Sequence, residues 1–227
     1  MIILDGPSHD ILHVSPVSDT WLMSEAARVC YKSSPRKGHE KEDNLNLLKR
    51  LIDQEDIPTP FEHSMLSVRF VCDRGVSHEL VRHRLASFNQ ESTRYCNYSK
   101  GKFGSEITVV KPIRIHTNSI AYDIWKTQCE QAEQAYFDLL DAGIAPENAR
   151  SVLPTCVKTE IIMSTNLREW YHVFDLRTSC KAHPDMRLMM MGLLFDIQMC
   201  FPYLFEELYH ERNKEFIKDF GIDFDNR

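Results

Sequence analysis

The sequence predicts an α+β fold: a mainly antiparallel central sheet packed with helices, in one domain over 1–227. Three observations predict it. Leu66, Val68 and Phe70 alternate with Ser67, Arg69 and Val71, the period of a strand with one face in the core. Other segments carry apolar residues at helical spacing between recognisable start and stop signals. No repeat, low-complexity run or linker divides the 227 residues, a length that can bury one sizeable core.

Taken in order, Ile2-Ile3-Leu4 and Ile11-Leu12-His13-Val14 read as one strand or two, interrupted by Gly6-Pro7. Ser18 or Asp19 is placed to cap a helix running through Glu25 to Cys30. After a loop over 33–38, Lys41 to Gln54 carries Leu45, Leu47, Leu48, Leu51 and Ile52 at helical spacing. Pro58 and Pro60 hold 57–61 extended. The strand Met65–Cys72 follows, then a turn at Asp73-Arg74-Gly75, then a helix from Val76 to Arg84.

Phe103 to Ile115 contains a strand around Ile107-Val110. Thr117 or Asn118 caps a long helix to about Ala142, with Ile124, Trp125, Ala132, Ala135, Tyr136 and Leu139 facing inward and Gly143 ending it. Pro146 opens a short helix carrying Arg150. Thr155 to Thr165 reads as a strand, and Asn166 caps a helix over Leu167–Leu176. Pro184 to Phe201 is a helix whose methionine stripe reads as core. Leu204 to His210 continues helical, and 219–227 reads as a loose tail.

Hydrophobic residues make up 43% of the chain and charged ones 26%, the balance of a soluble globular protein. The net charge of −6 argues against a general nucleic-acid binder, which presents a broad basic face. Nowhere is there an apolar run of roughly 18 residues, the length a membrane span needs. The N-terminus lacks the basic n-region of a signal peptide. Seven scattered cysteines, odd in number and without CxxC, point to a reducing cytoplasm and to small buried hydrophobes. The histidines show no metal-ligand spacing such as HExxH, so no metal is expected. Nor does a GxGxxG turn exist to cradle a dinucleotide.

Against this acidic background, Arg82-His83-Arg84 to Arg94-Tyr95 is dense in cations and small polar groups. Guanidinium forks match phosphate or carboxylate oxygens two at a time. By residue chemistry alone the stretch is either an anion site or a solvated helix face followed by a polar loop. Thr59-Pro60-Phe61-Glu62-His63 sets an acid and an imidazole before a strand, a ligand-binding pair or a plain strand cap. Asn166 to His172 is a helix start with Arg168 and His172 on one face. It is an ordinary capped helix or a place for a phosphate or a flavin oxygen. No nucleophile–base pair is legible, and Ser92 has no histidine at an activating spacing.

Arg82-His83-Arg84, seven residues and then Ser92 match the RHR-x7-S signature of the flavin-dependent thymidylate synthases. The chain also resembles that family at 59–63, at Ala149 to Pro154, and at Asn166 to His172 with Leu176-Arg177. The resemblance implies a homotetramer with active sites shared between subunits. It implies bound FAD and methylation of dUMP to dTMP, with 5,10-methylenetetrahydrofolate as one-carbon donor and NADPH or another reductant as electron source.

Thr59, Arg82, His83, Arg84, Gln90, Asn166, Arg168 and His172 match flavin-contacting positions of the family. Glu79, Arg82, Gln90, Glu91, Ser92, Thr93, Arg94, Arg150 and Arg177 match its nucleotide site. Arg177 matches the arginine that favours ionisation at N3 of uracil and so makes C5 nucleophilic. Arg94 and the backbone N–H groups of 91–93 suit the phosphate. Ser92 then serves as a positioning hydroxyl in the catalytic site, and no cysteine need attack C6 because the flavin supplies hydride. Gln90 stands where the family commonly has glutamate, and Thr93 where it often has glycine. These departures leave room for hydroxymethylation of the same base. A flavin- or nucleotide-binding protein without catalysis is the alternative of a different class.

Overall fold

A computed structural model of the chain describes residues 1–16, 19–53, 57–94, 98 and 106–226, and of Asp19 only the backbone. Ser18, Gln54, Tyr95 and Phe103, which carried expectations above, lie outside the described residues. The fold is α+β. Strands β2 (Ser8–Val14), β3 (Met65–Asp73), β4 (Ser87–Gln90) and β6 (Lys158–Asn166) form a four-stranded antiparallel sheet in the order β2-β3-β6-β4. A smaller parallel pair joins β1 (Ile2–Leu4) to β5 (Thr108–Val110), with Ile3 opposite Val109.

The strands follow from side-chain alternation. On β3, Leu66, Val68, Phe70 and Cys72 are all fully buried. On β6, Thr159, Ile161, Met163 and Thr165 take the inner positions and Glu160, Ile162 and Ser164 the half-buried ones. Each of these two strands runs straight into a helix capped by its own last residue. Asp73 accepts from Val76 N at 2.8 Å and opens α3 (Arg74–Leu80). Asn166 accepts from Glu169 N at 2.9 Å and opens α6 (Leu167–Thr178). Both caps have extended backbone, φ −77° and −80° with ψ 166°, as an N-cap requires.

The chain divides into two compact units. One comprises residues 1–8, 70–82 and 88–162. Its core gathers Cys129 and Tyr136 of α4 (Ile120–Asp141), Ala149 of the short helix α5 (Pro146–Ala149), and Ile107, Val109 and Val157. The other comprises residues 9–69, 83–87 and 163–227, with α1 (Asp19–Tyr31), α2 (Glu40–Ile52), α6, α7 (Pro184–Cys200) and α8 (Pro202–Phe220). Within it Trp170 is fully buried and its indole N–H donates to Leu66 O at 3.0 Å. Arg187, 2% exposed, pairs with Asp219 at 2.7 Å and lies over the rings of Phe216 and Phe220. A charge is tolerated in such a place only with this kind of partner.

Several expectations change. The 59–63 segment is a 3-10 helix, because Pro60 sits in its first turn, where a missing N–H costs nothing. The turn expected at Asp73-Arg74-Gly75 is the start of α3, and that helix ends at Leu80, so Arg82, His83 and Arg84 lie in the turns beyond it. Ser119, not Thr117 or Asn118, caps α4. Ile124 on that helix is 62% exposed. Of the described cysteines only Cys72 and Cys129 are buried. Helix α8 runs well past His210. Where a loose tail was expected, residues 221–226 fold back: Phe224 is buried and Asp225 accepts from Tyr209 OH at 2.8 Å. Among the described residues no helix is long and apolar enough to cross a membrane.

Replacing the α3 cap tests the strand-to-helix junction. Asp73→Ala is expected to lower stability by about 1 kcal/mol and Asp73→Asn by much less, measured by urea denaturation. Equal midpoints for Asp73→Ala and the parent chain would contradict this account of the junction.

Candidate functional site

In the second unit, the loop after α3 brings His83 to α6. Thr165 Oγ1 donates to Leu85 O and ties that loop to β6 at 2.6 Å. His83 is 5% exposed. Arg177, in the last turn of α6, donates from Nε to His83 Nε2 at 3.0 Å. A guanidinium offers only donors. His83 Nε2 must therefore be the bare nitrogen, and the ring proton sits on Nδ1. Facing that nitrogen is Glu169, with Oε1 3.6 Å from Nδ1. The ring of His172 stands edge-on to His83, centroids 6.0 Å apart. Burial, then the Arg177 charge, then His172 push the His83 pKa down from 6.5 to about 4. Burial pushes the Glu169 carboxyl pKa up, against a smaller opposing pull from His172.

His83, Glu169 and His172 bring ligand-type atoms within 4.8 Å of one another, a cluster that sequence spacing does not suggest. Its bonds already occupy it. Arg177 takes the lone pair of Nε2 and a proton covers Nδ1, so His83 can hold a cation only by giving up the arginine.

A cleft of about 920 Å³ opens beside this group, lined by Leu85, Asn166, Arg168, Glu169, Tyr171 and His172 together with the acids Asp53, Glu62, Asp175 and Glu207. Three expected flavin positions, Asn166, Arg168 and His172, thus meet in one place. Arg168 is ion-paired with Glu62 at 2.6 Å, both half exposed, and an incoming anion has to compete for it. The Asn166 carbonyl oxygen is committed to the cap, which leaves its amide nitrogen as a donor. Thr59, Arg82 and Arg84 are exposed and do not line the cleft.

In the first unit a smaller pocket, about 340 Å³, is lined by Arg74, His78, Thr93, Arg150, Ser151 and Thr155, with Leu153, Pro154 and Val157. Arg150 Nη1 donates to Thr93 Oγ1 at 2.9 Å, which joins two expected nucleotide positions. The only non-glycine residue with positive φ among those described is Lys32, so Thr93 sits where a β-branched residue is unstrained. Arg74 and His78 were not anticipated. Four residues apart on α3, they share a face once that helix begins at Arg74.

The remaining positions are held by neighbours. Gln90 Nε2 donates to Ser77 Oγ at 2.8 Å and Thr159 Oγ1 at 3.2 Å. These are donor roles that a carboxylate in its place lacks. Glu91 Oε2 accepts from Lys158 Nζ at 3.2 Å. The Glu91 N–H donates to Glu160 O at 2.8 Å, so it is not a donor for a phosphate, contrary to the expectation for 91–93. Ser92 Oγ accepts from Arg94 N at 3.3 Å and touches no base among the described residues. Glu79 is half-buried in the last turn of α3.

Comparison with known proteins adds to this geometry. Residues 15–203 match the Thy1 family, described as thymidylate synthase complementing protein. A flavin-dependent thymidylate synthase from Thermococcus onnurineus is 36% identical over 137 residues, covering 60% of this chain and 55% of that protein. One from Pyrococcus furiosus is 38% identical over 116 residues, covering 51% and 47%. One from Sulfolobus acidocaldarius is 32% identical over 181 residues, covering 77% and 67%. The chain spans about half the length of the first two of these relatives. In fold it is similar to the crystal structure of the UMP/dUMP methylase PolB from Streptomyces cacaoi bound with 5-Br dUMP. The TM-score is 0.70 and the identity 22%, with 91% of this chain and 96% of that one covered.

The depressed pKa of His83 has a consequence for stability. Unfolded, the imidazole takes a proton near 6.5; folded, it stays neutral down to about 4. Below 6.5 the unfolded state binds more protons, so stability is lost as pH falls across that window, by up to about 3 kcal/mol. His83→Asn is expected to flatten this part of the pH dependence in denaturation midpoints taken between pH 7 and pH 4. An unchanged slope would contradict the buried, neutral imidazole.

Proposed function

The chain belongs to the thymidylate synthase complementing protein family, and from that premise we propose that it is an enzyme that methylates dUMP to dTMP reductively, with bound FAD as redox group. One observation carries the reading: Arg177, at the position matched to the uracil arginine, is locked by a buried, neutral His83. A guanidinium oriented there by a hydrogen bond is pre-organised for charge developing on a pyrimidine. The relatives' names and the methylase that shares the fold support the substrate class.

The donor set of the larger cleft fits a flavin. Arg168, the Asn166 amide and His172 offer hydrogen bonds to ring carbonyls or phosphate oxygens at the start of a helix. The acids lining the same cleft repel phosphates, so these donors suit the neutral ring of the flavin better than its pyrophosphate. When bound, FAD supplies the two electrons that reduce the transferred carbon to a methyl group. 5,10-Methylenetetrahydrofolate is the one-carbon donor and NADPH the reductant in this reading, and the active site is assembled from more than one subunit of a homotetramer.

The residues of this chain do the rest. Arg150, held by Thr93, and the neighbouring Arg74 and His78 provide charge-assisted donors for the dUMP phosphate. Arg177 stabilises negative charge at N3 or its adjoining carbonyl, which raises electron density at C5. Ser92 positions the nucleotide and does not attack it. Cys72 is unsuited to nucleophilic attack, since burial pushes its thiol up to about 12.

Release of tritium from [5-³H]dUMP tests the reading. It is expected only with flavin, reductant and methylenetetrahydrofolate together, and in step with dTMP formation. Arg150→Ala is expected to raise the KM for dUMP roughly 10- to 100-fold, the loss of a charge-assisted bond. Arg177→Ala is expected to lower kcat by about 10²-fold. Flavin reduction by NADPH with no tritium release from dUMP would reject the proposal in favour of a binding protein.

A further inference from the structure

Glu169 lines the larger cleft but has been given no contact with flavin or nucleotide; it is 9% exposed and lies in the first turn of α6 against His83. Among the described residues, the charged or titratable groups facing His83 are Glu169, His172 and Arg177, all from α6. No hydrogen bond among the described residues reaches the Glu169 carboxylate, which lies 3.6 Å from His83 Nδ1, an electrostatic contact longer than a hydrogen bond. A buried carboxylate left that way is costly, so its retention calls for a role.

Neutral imidazole exists as two tautomers, and only one presents a bare Nε2. In the other tautomer Nε2–H faces the Nε–H of Arg177, donor against donor, and the arginine is displaced. A carboxylate 3.6 Å from Nδ1 attracts the Nδ1–H dipole and repels the Nδ1 lone pair, and so selects the first tautomer. This is how a carboxylate commonly fixes a histidine in catalytic sites. We propose that Glu169 is a positioning residue, holding His83 as its Nδ1–H tautomer so that His83 Nε2 can orient the guanidinium of Arg177. The step from an oriented Arg177 to catalysis rests on the function proposed above; the step from Glu169 to His83 does not.

Glu169→Gln is the informative variant. It keeps the volume, but its amide can accept or donate, so it no longer discriminates between the tautomers. In ¹⁵N-histidine spectra of the FAD-loaded protein, with the His83 signals assigned by their loss in His83→Asn, wild type is expected to show protonated Nδ1 and bare Nε2. Glu169→Gln is expected to show a substantial Nε2–H population, and Glu169→Asp to restore the wild-type pattern in part. At saturating FAD, the kcat for dTMP formation is expected to fall roughly 10-fold in Glu169→Gln, with the KM for dUMP altered less than about threefold. In an Arg177→Lys background the same change is expected to have no further effect on kcat.

An unchanged His83 spectrum in Glu169→Gln overturns the proposal. So does an undiminished roughly 10-fold loss in the Arg177→Lys background, which is the mark of a merely structural role. If wild type forms no dTMP, the proposed function falls and the spectra alone decide the role of Glu169.

Discussion

A guanidinium bonded nitrogen to nitrogen with a buried imidazole admits one arrangement of protons. Arg177 donates, so His83 accepts at Nε2 and stays neutral. Much of the candidate site depends on that constraint. It fixes which ring nitrogen carries hydrogen, makes a third partner at Nδ1 meaningful and keeps a metal ion from competing. It also turns one buried residue into a pH-sensitive element of stability. The interaction works because the imidazole is buried: in bulk solvent an arginine and a neutral histidine gain little from meeting, whereas a buried ring nitrogen left unmet is costly.

The architecture delivers these groups by a simple device. Two nine-residue strands end in residues that cap the following helices, Asp73 and Asn166. A capped junction leaves little slack, so side chains in the first turns are fixed relative to the strand. On α3 this sets Arg74 and His78 into the cationic pocket of the first unit. On α6 it sets Arg168, Glu169 and His172 into the cleft of the second. Loops contribute Thr93 and His83, each held by a bond to an arginine.

Much of this was legible in the sequence. The alternation of β3 and the Asn166 cap are local signals, and they read correctly. The arginine-rich block identified the family because its residue types and spacing are specific. What failed depended on distant partners. Ser87–Gln90 is a strand because it pairs in the sheet, not because four mostly polar residues favour one. The N-cap role of Asp73 was hidden by a following glycine that resembled a turn, and with it went Arg74 and His78. Gln90 reads as a departure at a ligand position, yet its amide bridges Ser77 and Thr159. Glu169 carries no motif at all; its role follows from burial and from the nitrogen it faces.

The central claim is that this chain couples flavin oxidation to methylation of dUMP. An anaerobic single turnover tests it most directly. FAD on the enzyme is first reduced with NADPH, and excess reductant is removed. Adding dUMP together with methylenetetrahydrofolate is predicted to reoxidise the flavin with one dTMP formed per flavin, while either addition alone leaves it reduced. A flavin that stays reduced with both present, or dTMP formed without its oxidation, would contradict the account.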